Sequence, residues 1–164
     1  MDLSDSPLPL YFGKRHDLFG WQYSSLPQDS RPLGIVIVAP HGYEMMSMHW
    51  GLRRCAERLN AAGYPVIRFD LLGVGNSLGD ERQPDQVAAW LDSIHQAVDF
   101  LKQSSGVANI VVLGVRLGAT LAAQVAAARE DISGIILYAP CITGRQYVRE
   151  MRAFAATIKD APEP

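Results

Sequence analysis

The sequence predicts an α/β fold, with helices on both faces of a mostly parallel sheet of six strands. Segments of strand and helix character alternate along the 164 residues. Continuous apolar runs of strand length, such as residues 33–40, are typical of strands that are buried on both faces, as in parallel sheets. Helices between such strands favour right-handed crossovers, which cover both faces of the sheet. The expected architecture is therefore a three-layer α/β/α sandwich.

The N-terminal part predicts two short strands that precede the first buried strand. Residues 10–12 and 18–24 are joined by a turn at 13–17, which favours an antiparallel pair. A loop at 27–32, bounded by prolines, then leads into the apolar strand at 33–40.

Apolar residues at helical spacing predict the first two helices. Residues 49–62 carry one apolar stripe and stop at Gly63; the stripe consists of Leu52, Cys55, Ala56, Leu59 and Ala62. A strand at 64–70 and a glycine-rich loop at 73–77 come next. Residues 84–104 open with proline, which is common at helix starts, and carry a second stripe of Val87, Leu91, Ile94, Val98 and Leu101.

The last part of the chain continues the alternation. A strand at residues 109–113 precedes an alanine-rich helix at 119–128. A strand from Ile132 to Pro140 and a helix at 144–159 follow. A chain of this length is sufficient for one domain with a proper core, so we expect a single domain over residues 1–164.

Composition and charge exclude several classes of function. Hydrophobic residues make up 48% of the chain and charged residues 20%, as in ordinary globular proteins. The formal net charge of -2 provides no basic surface for nucleic acid or for an anionic membrane. Residues 1–7 are polar and acidic, unlike a signal peptide, and no apolar run approaches the length of a membrane span. We therefore expect a cytoplasmic protein.

The cysteines and the candidate metal ligands indicate neither a disulfide framework nor a metal site. Two cysteines, Cys55 and Cys141, do not make a disulfide framework. No cluster of His, Cys, Asp and Glu has the spacing of metal ligands. We expect neither a metal nor another cofactor.

The most informative motif is Gly114-Val115-Arg116-Leu117-Gly118, between a predicted strand and a predicted helix. Strand, G-x-x-x-G turn and helix form the layout of a nucleophile elbow, whose middle residue is normally serine. Here that residue is Arg116, and a guanidinium is permanently cationic and is no nucleophile. The turn has the layout of a hydrolase site without its reactive atom.

Two further turns follow predicted strands, and together the three turns resemble those of the α/β-hydrolase superfamily. In chain order the motifs are His41-Gly42-Tyr43, then Asp70 with Gly73-x-Gly75-x-Ser77, then Gly114-x-Arg116-x-Gly118. The likeness is greatest to its serine aminopeptidase-like (S33) branch, with Tyr11-Phe12-Gly13 and Leu18-Phe19-Gly20-Trp21 near the N-terminus. The resemblance covers almost the whole chain and implies an α/β-hydrolase fold, of which this chain holds the N-terminal six-strand portion.

The resemblance also implies roles for residues in these turns. In the family, the loop after the third strand and the residue after the nucleophile each supply one backbone N–H of the oxyanion hole. Those positions here are Tyr43 and Leu117. Two such N–H groups can stabilise a developing oxyanion. His41, Gly42 and Arg116 are accordingly expected to contact a ligand; alternatively, the turn only closes its strand and His41 bonds a neighbouring loop.

The chain departs from the family pattern beyond Arg116 as well. The family carries a triad Asp or Glu and then a His after the nucleophile. All four histidines of this chain precede Arg116: His16, His41, His49 and His95. We therefore expect a fragment or a truncated homologue that stops before the last strands. A missing segment or a second copy of the chain would then cover the apolar strand from Ile132 to Pro140.

Other residues are candidates for reactive or ligand-binding groups. Cys141 follows a strand at the edge where open α/β sheets bind ligands, and Arg116 and Arg145 could lower its thiol pKa. His41 would lie two strand spacings away, about 9–10 Å, and a small buried cysteine is the simpler interpretation. Ser77 lacks the lysine of a phosphate-binding loop and is interpreted as a structural turn with Asp70. Met45, Met46 and Met48 either line an apolar acyl pocket or simply pack their loop.

Three functions follow from these observations. One is hydrolysis of an ester, thioester or peptide bond, which the scaffold favours and the missing serine and histidine oppose. The second is a non-catalytic hydrolase relative in which Arg116 binds a small anionic ligand or a protein partner, through bidentate contacts to a carboxylate or phosphate. The third is thiol chemistry at Cys141. Arg116 can equally fill the space of a site that is no longer used.

Overall fold

A strand hairpin and then alternating strands and helices make up the described part of the molecule. The computed structural model describes residues 7–24, 30–80 and 82–159. The acidic residues 1–6 and part of the predicted loop at 27–32 lie outside these ranges. The elements are β1 Leu8–Phe12, β2 Leu18–Tyr23, β3 Leu33–Val38, α1 Tyr43–Ala61, β4 Val66–Phe69, α2 Gln86–Ser105, β5 Asn109–Val115, α3 Leu117–Ala127, β6 Ile132–Tyr138 and α4 Gly144–Lys159.

The strands form one sheet in the order β1-β2-β4-β3-β5-β6. β1 and β2 are antiparallel to each other, and β2 is antiparallel to β4. β4, β3, β5 and β6 run parallel. The predicted α/β-hydrolase fold and its mostly parallel six-strand sheet are confirmed.

The core divides between the two faces of the sheet. Side chains of a strand alternate between the faces, so Val36 and Val38 pack towards α2 and α3, whereas Ile35 and Ile37 pack towards α1. All but Ile35 of these four are fully buried, and Ile35 is nearly so. Both faces of the central strands are therefore covered, which explains why their sequences are continuously apolar.

The largest correction concerns the start of α1, which begins at Tyr43 and not at residue 49. Gly42, with φ 67°, ends the preceding turn directly before the helix. The predicted apolar stripe begins only at Leu52 because the first turns of α1 are partly exposed and carry no clear periodicity. Met45, Met46 and Met48 therefore belong to α1 rather than to a loop.

β6 forms one edge of the sheet, as expected. Among the described residues it pairs with β5 alone, and Ile135, Ile136 and Tyr138 are exposed. Parallel pairing brings the carboxyl ends of β3, β5 and β6 to the same end of the sheet. The turns that follow these strands therefore meet there.

Candidate functional site

Residues 114–118, here called the elbow turn, connect β5 sharply to α3. Arg116 has φ 54° and ψ -119°, a positive φ that is unfavourable for a residue with a Cβ atom. The flanking glycines permit the close approach. A Cβ on Gly118 would clash with the carbonyls of Val38 and Ala39, and one on Gly114 would clash with Ala119. The turn thus keeps the tight shape that the G-x-x-x-G pattern predicts.

The Arg116 side chain is held by two carboxylates. Its Nε donates to Glu44 Oε1 at 2.7 Å, and its Nη2 donates to Glu150 Oε2 at 2.5 Å. Nη1 donates to the carbonyl of Ala139 at 3.3 Å. The side chains of Arg116, Glu44 and Glu150 are 24%, 25% and 34% exposed, respectively, so this ion cluster lies at the partly open rim of the sheet.

The electrostatics of this cluster are dominated by hydrogen bonds. Those to Glu44 and then Glu150 raise the pKa of Arg116 above its already high ordinary value. The pKa of Glu150 is lowered, first by the hydrogen bond from Gln146 and then by that from Arg116. The second oxygen of Glu44, Oε2, is buried and has no hydrogen-bond partner in the described part of the chain. At neutral pH one positive and two negative charges meet above the elbow turn.

α4 lies across these turns through three side chains on one of its faces. Tyr147 Oη is 3.2 Å from His41 Nδ1, Glu150 binds Arg116, and the ring of Phe154 packs on that of Tyr43 with centroids 4.6 Å apart. Residues three, four and seven positions apart share a helix face. α4 thereby contacts the predicted ligand-binding residues His41 and Arg116, and it touches the ring of Tyr43, which stays 53% exposed.

The two residues expected to supply oxyanion N–H groups occupy matching positions. Tyr43 is the first residue of α1 and Leu117 is the first residue of α3. The N–H of a first helical residue has no carbonyl partner within its own helix. The preceding strands β3 and β5 are neighbours, so both helix starts lie at the same end of the sheet. Their role as an oxyanion hole stays a prediction.

Cys141 does not have the properties of an activated thiol. Cys141 is only 4% exposed, and burial raises the pKa of its thiol. Arg116 acts in the opposite direction, as expected, but Glu44 and Glu150 add to the increase. The simpler interpretation of Cys141 as a small buried cysteine is therefore confirmed, and the alternative of a lowered pKa does not hold because burial outweighs the cation. Strand order agrees with the expected separation from His41, since β5 lies between β3 and β6.

The loop after β4 is a structural turn, as its sequence predicts. Ser77 Oγ donates to the carbonyl of Asp70 at 2.6 Å and accepts from the N–H of Phe19 at 2.9 Å. Asp70 Oδ2 accepts from the N–H of Asn76 at 2.9 Å. These bonds join the loop to β2 and explain why Asp70 and Ser77 occupy it.

Three residues of the site were missed by sequence reasoning: Glu44, Tyr147 and Glu150. Glu44 follows the His41-Gly42-Tyr43 turn directly, and a carboxylate beside that turn could have been noted as a partner for Arg116. Tyr147 and Glu150 lie on one face of the predicted last helix, but nothing in the sequence shows which helix packs over the elbow turn.

The fold and the turns after β3, β4 and β5 define an α/β-hydrolase-fold protein. A family model described as serine aminopeptidase, S33 matches residues 31–162, and the chain belongs to this family. No curated protein matches the chain in sequence.

Solved structures agree with this assignment. An α/β serine hydrolase without a lid from Xanthomonas campestris superposes with a TM-score of 0.66 and 23% identity over 85% of this chain and 63% of that one. An esterase from Pyrococcus furiosus gives 0.69 and 22%, over 96% and 56%. An α/β serine hydrolase homologue from Coxiella burnetii gives 0.68 and 18%, over 90% and 69%. The present chain thus spans between about half and two thirds of these proteins, and at such identities the likeness shows the fold.

None of the helices in the described ranges is both long and apolar enough to cross a membrane. Within the same ranges, no three His, Cys, Asp or Glu side chains are grouped so that they could hold a metal ion.

Proposed function

We propose that this chain is a non-catalytic member of the serine aminopeptidase S33 family whose elbow turn binds carboxylates. The observation that supports the proposal is the Arg116 side chain, which occupies the nucleophile position and donates to two carboxylates. A guanidinium matches carboxylate geometry and stays charged, but it cannot attack a carbonyl group. The same turn that would activate a serine therefore presents a cation.

Hydrolysis of an ester, thioester or peptide bond lacks its usual nucleophile at the elbow turn. The middle residue of that turn is Arg116 in place of serine. Cys141 is the nearby alternative nucleophile, but its thiol is buried and has a raised pKa. A buried, protonated thiol reacts slowly because the thiolate is the nucleophile.

The internal carboxylates indicate how an external ligand would bind. Glu150 is carried by α4, whereas Glu44 is carried by α1 next to the elbow turn. A carboxylate from a small ligand or from an acidic partner segment can replace Glu150 on Arg116 if α4 moves aside. Because the Arg116–Glu150 pair is partly exposed, this competition lowers the affinity for the ligand only about fivefold. Glu150 of α4 thus competes with an external anion for Arg116.

The test is an NMR titration of the labelled protein with acetate, following the Arg116 Nε–H signal. In Glu150→Gln we expect acetate to bind about fivefold more tightly than in the wild type. Glu57→Gln is the matched control, since it removes the same charge from a pair with Arg53 on the exposed surface of α1. If acetate does not move the Arg116 signal even in Glu150→Gln, carboxylate binding at the elbow turn is refuted.

Catalysis is tested separately with p-nitrophenyl acetate and a fluorophosphonate label. We expect neither saturable turnover nor covalent labelling of the wild-type protein, because no activated hydroxyl or thiol lies at the elbow turn. Turnover that disappears in Cys141→Ala would instead establish thiol chemistry. Labelling of any serine would contradict the non-catalytic assignment.

A further inference from the structure

A cavity of about 360 Å³ lies between the start of α1 and the strands β2 and β4. Its walls are largely apolar and include Phe19, Trp21, Met45, Met46 and Phe69. Arg116, Glu44 and Glu150 do not line it, so this cavity is distinct from the elbow turn. Its volume lies near the lower end of the range for small-molecule sites, roughly 300–1,000 Å³.

Arg68 brings a buried positive charge to this cavity. It lies on β4, is only 8% exposed and lines the cavity. No carboxylate of the described residues lies within 4.0 Å of its guanidinium. Its Nε is buried and has no hydrogen-bond partner there. A buried cation without a counterion is costly, and its unused donors favour an anion.

The protein partner of Arg68 is an imidazole rather than an acid. Arg68 Nη1 and His49 Nδ1 are 3.2 Å apart. Because a guanidinium can only donate, Nδ1 is the acceptor of this bond. His49, which also lines the cavity, carries no negative charge and therefore does not neutralise Arg68.

We propose that this cavity binds a small monocarboxylate with an apolar or aromatic body. The carboxylate would accept from Arg68, and the body would lie against Trp21 and the methionines of α1. Asp70 also lines the cavity, with one carboxylate oxygen bound to the N–H of Asn76. Its negative charge repels a dianion such as phosphate more strongly than it repels a single carboxylate, so the lower charge is favoured. The site is separate from Arg116, and the apolar body distinguishes this ligand from the carboxylates proposed for the elbow turn.

The test is titration with 3-phenylpropionate, observed through the methyl signals of methionine. We expect saturable shifts of the Met45 and Met46 signals and no shift of Met151, which lies on α4. The alcohol and the amine of the same skeleton serve as neutral and cationic controls, and each should bind at least about tenfold more weakly, as loss of a charge-assisted bond implies. Equal binding of the amine, or no shift of either methyl signal up to about 10 mM acid, would overturn the proposal.

Arg68→Met separates the charge from the shape of the cavity. The variant keeps an unbranched apolar stem and should reduce affinity for 3-phenylpropionate at least about tenfold. Arg54→Met, on the exposed surface of α1, removes the same charge and should bind as the wild type does. Unchanged affinity in a folded Arg68→Met would also overturn the proposal. If that variant does not fold, the comparison of acid, alcohol and amine on the wild-type protein decides.

Discussion

Arg116→Ala tests whether its ion pairs hold α4 over the elbow turn. Alanine is the informative replacement because it retains a Cβ atom. The unfavourable φ of 54° is then present in both proteins, whereas glycine would relieve it and obscure the result. The variant therefore isolates the guanidinium and its contacts with Glu44 and Glu150.

The expected loss in the free energy of unfolding is about 2 kcal/mol. The Arg116–Glu44 pair is short and its side chains are 24% and 25% exposed, so about 1 kcal/mol, the upper end for surface pairs, is expected for it; the more exposed Glu150 pair adds less. Glu44 adds to the loss, because one of its oxygens is already buried without a partner among the described residues and the other would lose its donor.

Urea unfolding followed by circular dichroism measures this difference, and hydrogen exchange of the α4 amides shows whether the helix is released. Arg54→Ala is the control, since its side chain is 55% exposed and its pair with Glu57 spans a longer 3.4 Å. That control should lose only about 0.3 kcal/mol. If Arg116→Ala loses no more than the control, and α4 exchanges as slowly as in the wild type, the ion pairs do not hold the helix.

Two other predictions concern packing and pH. Gly118→Ala should destabilise the protein by about 3 kcal/mol, since the new methyl group clashes with backbone carbonyls. Gly51→Ala lies within α1 with open space around it and should instead stabilise the protein by up to about 1 kcal/mol. Thermal unfolding compares the two variants, and equal effects would contradict the clash. Asp131 is paired with Arg129 and Lys102, and its pKa is lowered, chiefly by the hydrogen bond from Arg129. Its contribution is therefore complete above the ordinary carboxyl pKa of about 3.9 and is lost as the pH falls further. Urea unfolding should show Asp131→Asn to be less stable than the wild type by about 2 kcal/mol at neutral pH and by less in acid, and equal stability at neutral pH would refute the assignment.

Much of the fold could be predicted because its signals are local. The apolar run at residues 33–40 became β3 in the middle of the sheet, and the last helix has the predicted bounds, Gly144–Lys159. The start of α1 was predicted too late because its first turns are exposed on several sides and show no stripe. Hydrophobic periodicity arises from burial of one helix face, so it does not reveal a helical turn that is exposed beside a site.

The candidate site was predicted in part. Arg116 stands where the elbow pattern placed it, with the positive φ that such a turn requires. Of its partners, Glu44 could have been noted because it follows the His41-Gly42-Tyr43 turn, whereas Glu150 could not, since nothing in the sequence shows that α4 packs over the elbow turn. Cys141 is buried, as the simpler interpretation of the sequence had it, and this burial raises the pKa of its thiol.

By itself the sequence determined the order of strands and helices, the tight glycine turn and the replacement of a nucleophile by a cation. These properties depend on residues that are close in the chain, where hydrophobic spacing and backbone sterics act directly. Only the tertiary structure decided which charges meet. Arg116 binds two carboxylates because α1 and α4 converge on the end of β5, whereas Arg68 contacts an imidazole beside a largely apolar cavity. Ion pairing and desolvation act through space, and they follow the packing of distant elements rather than their sequence.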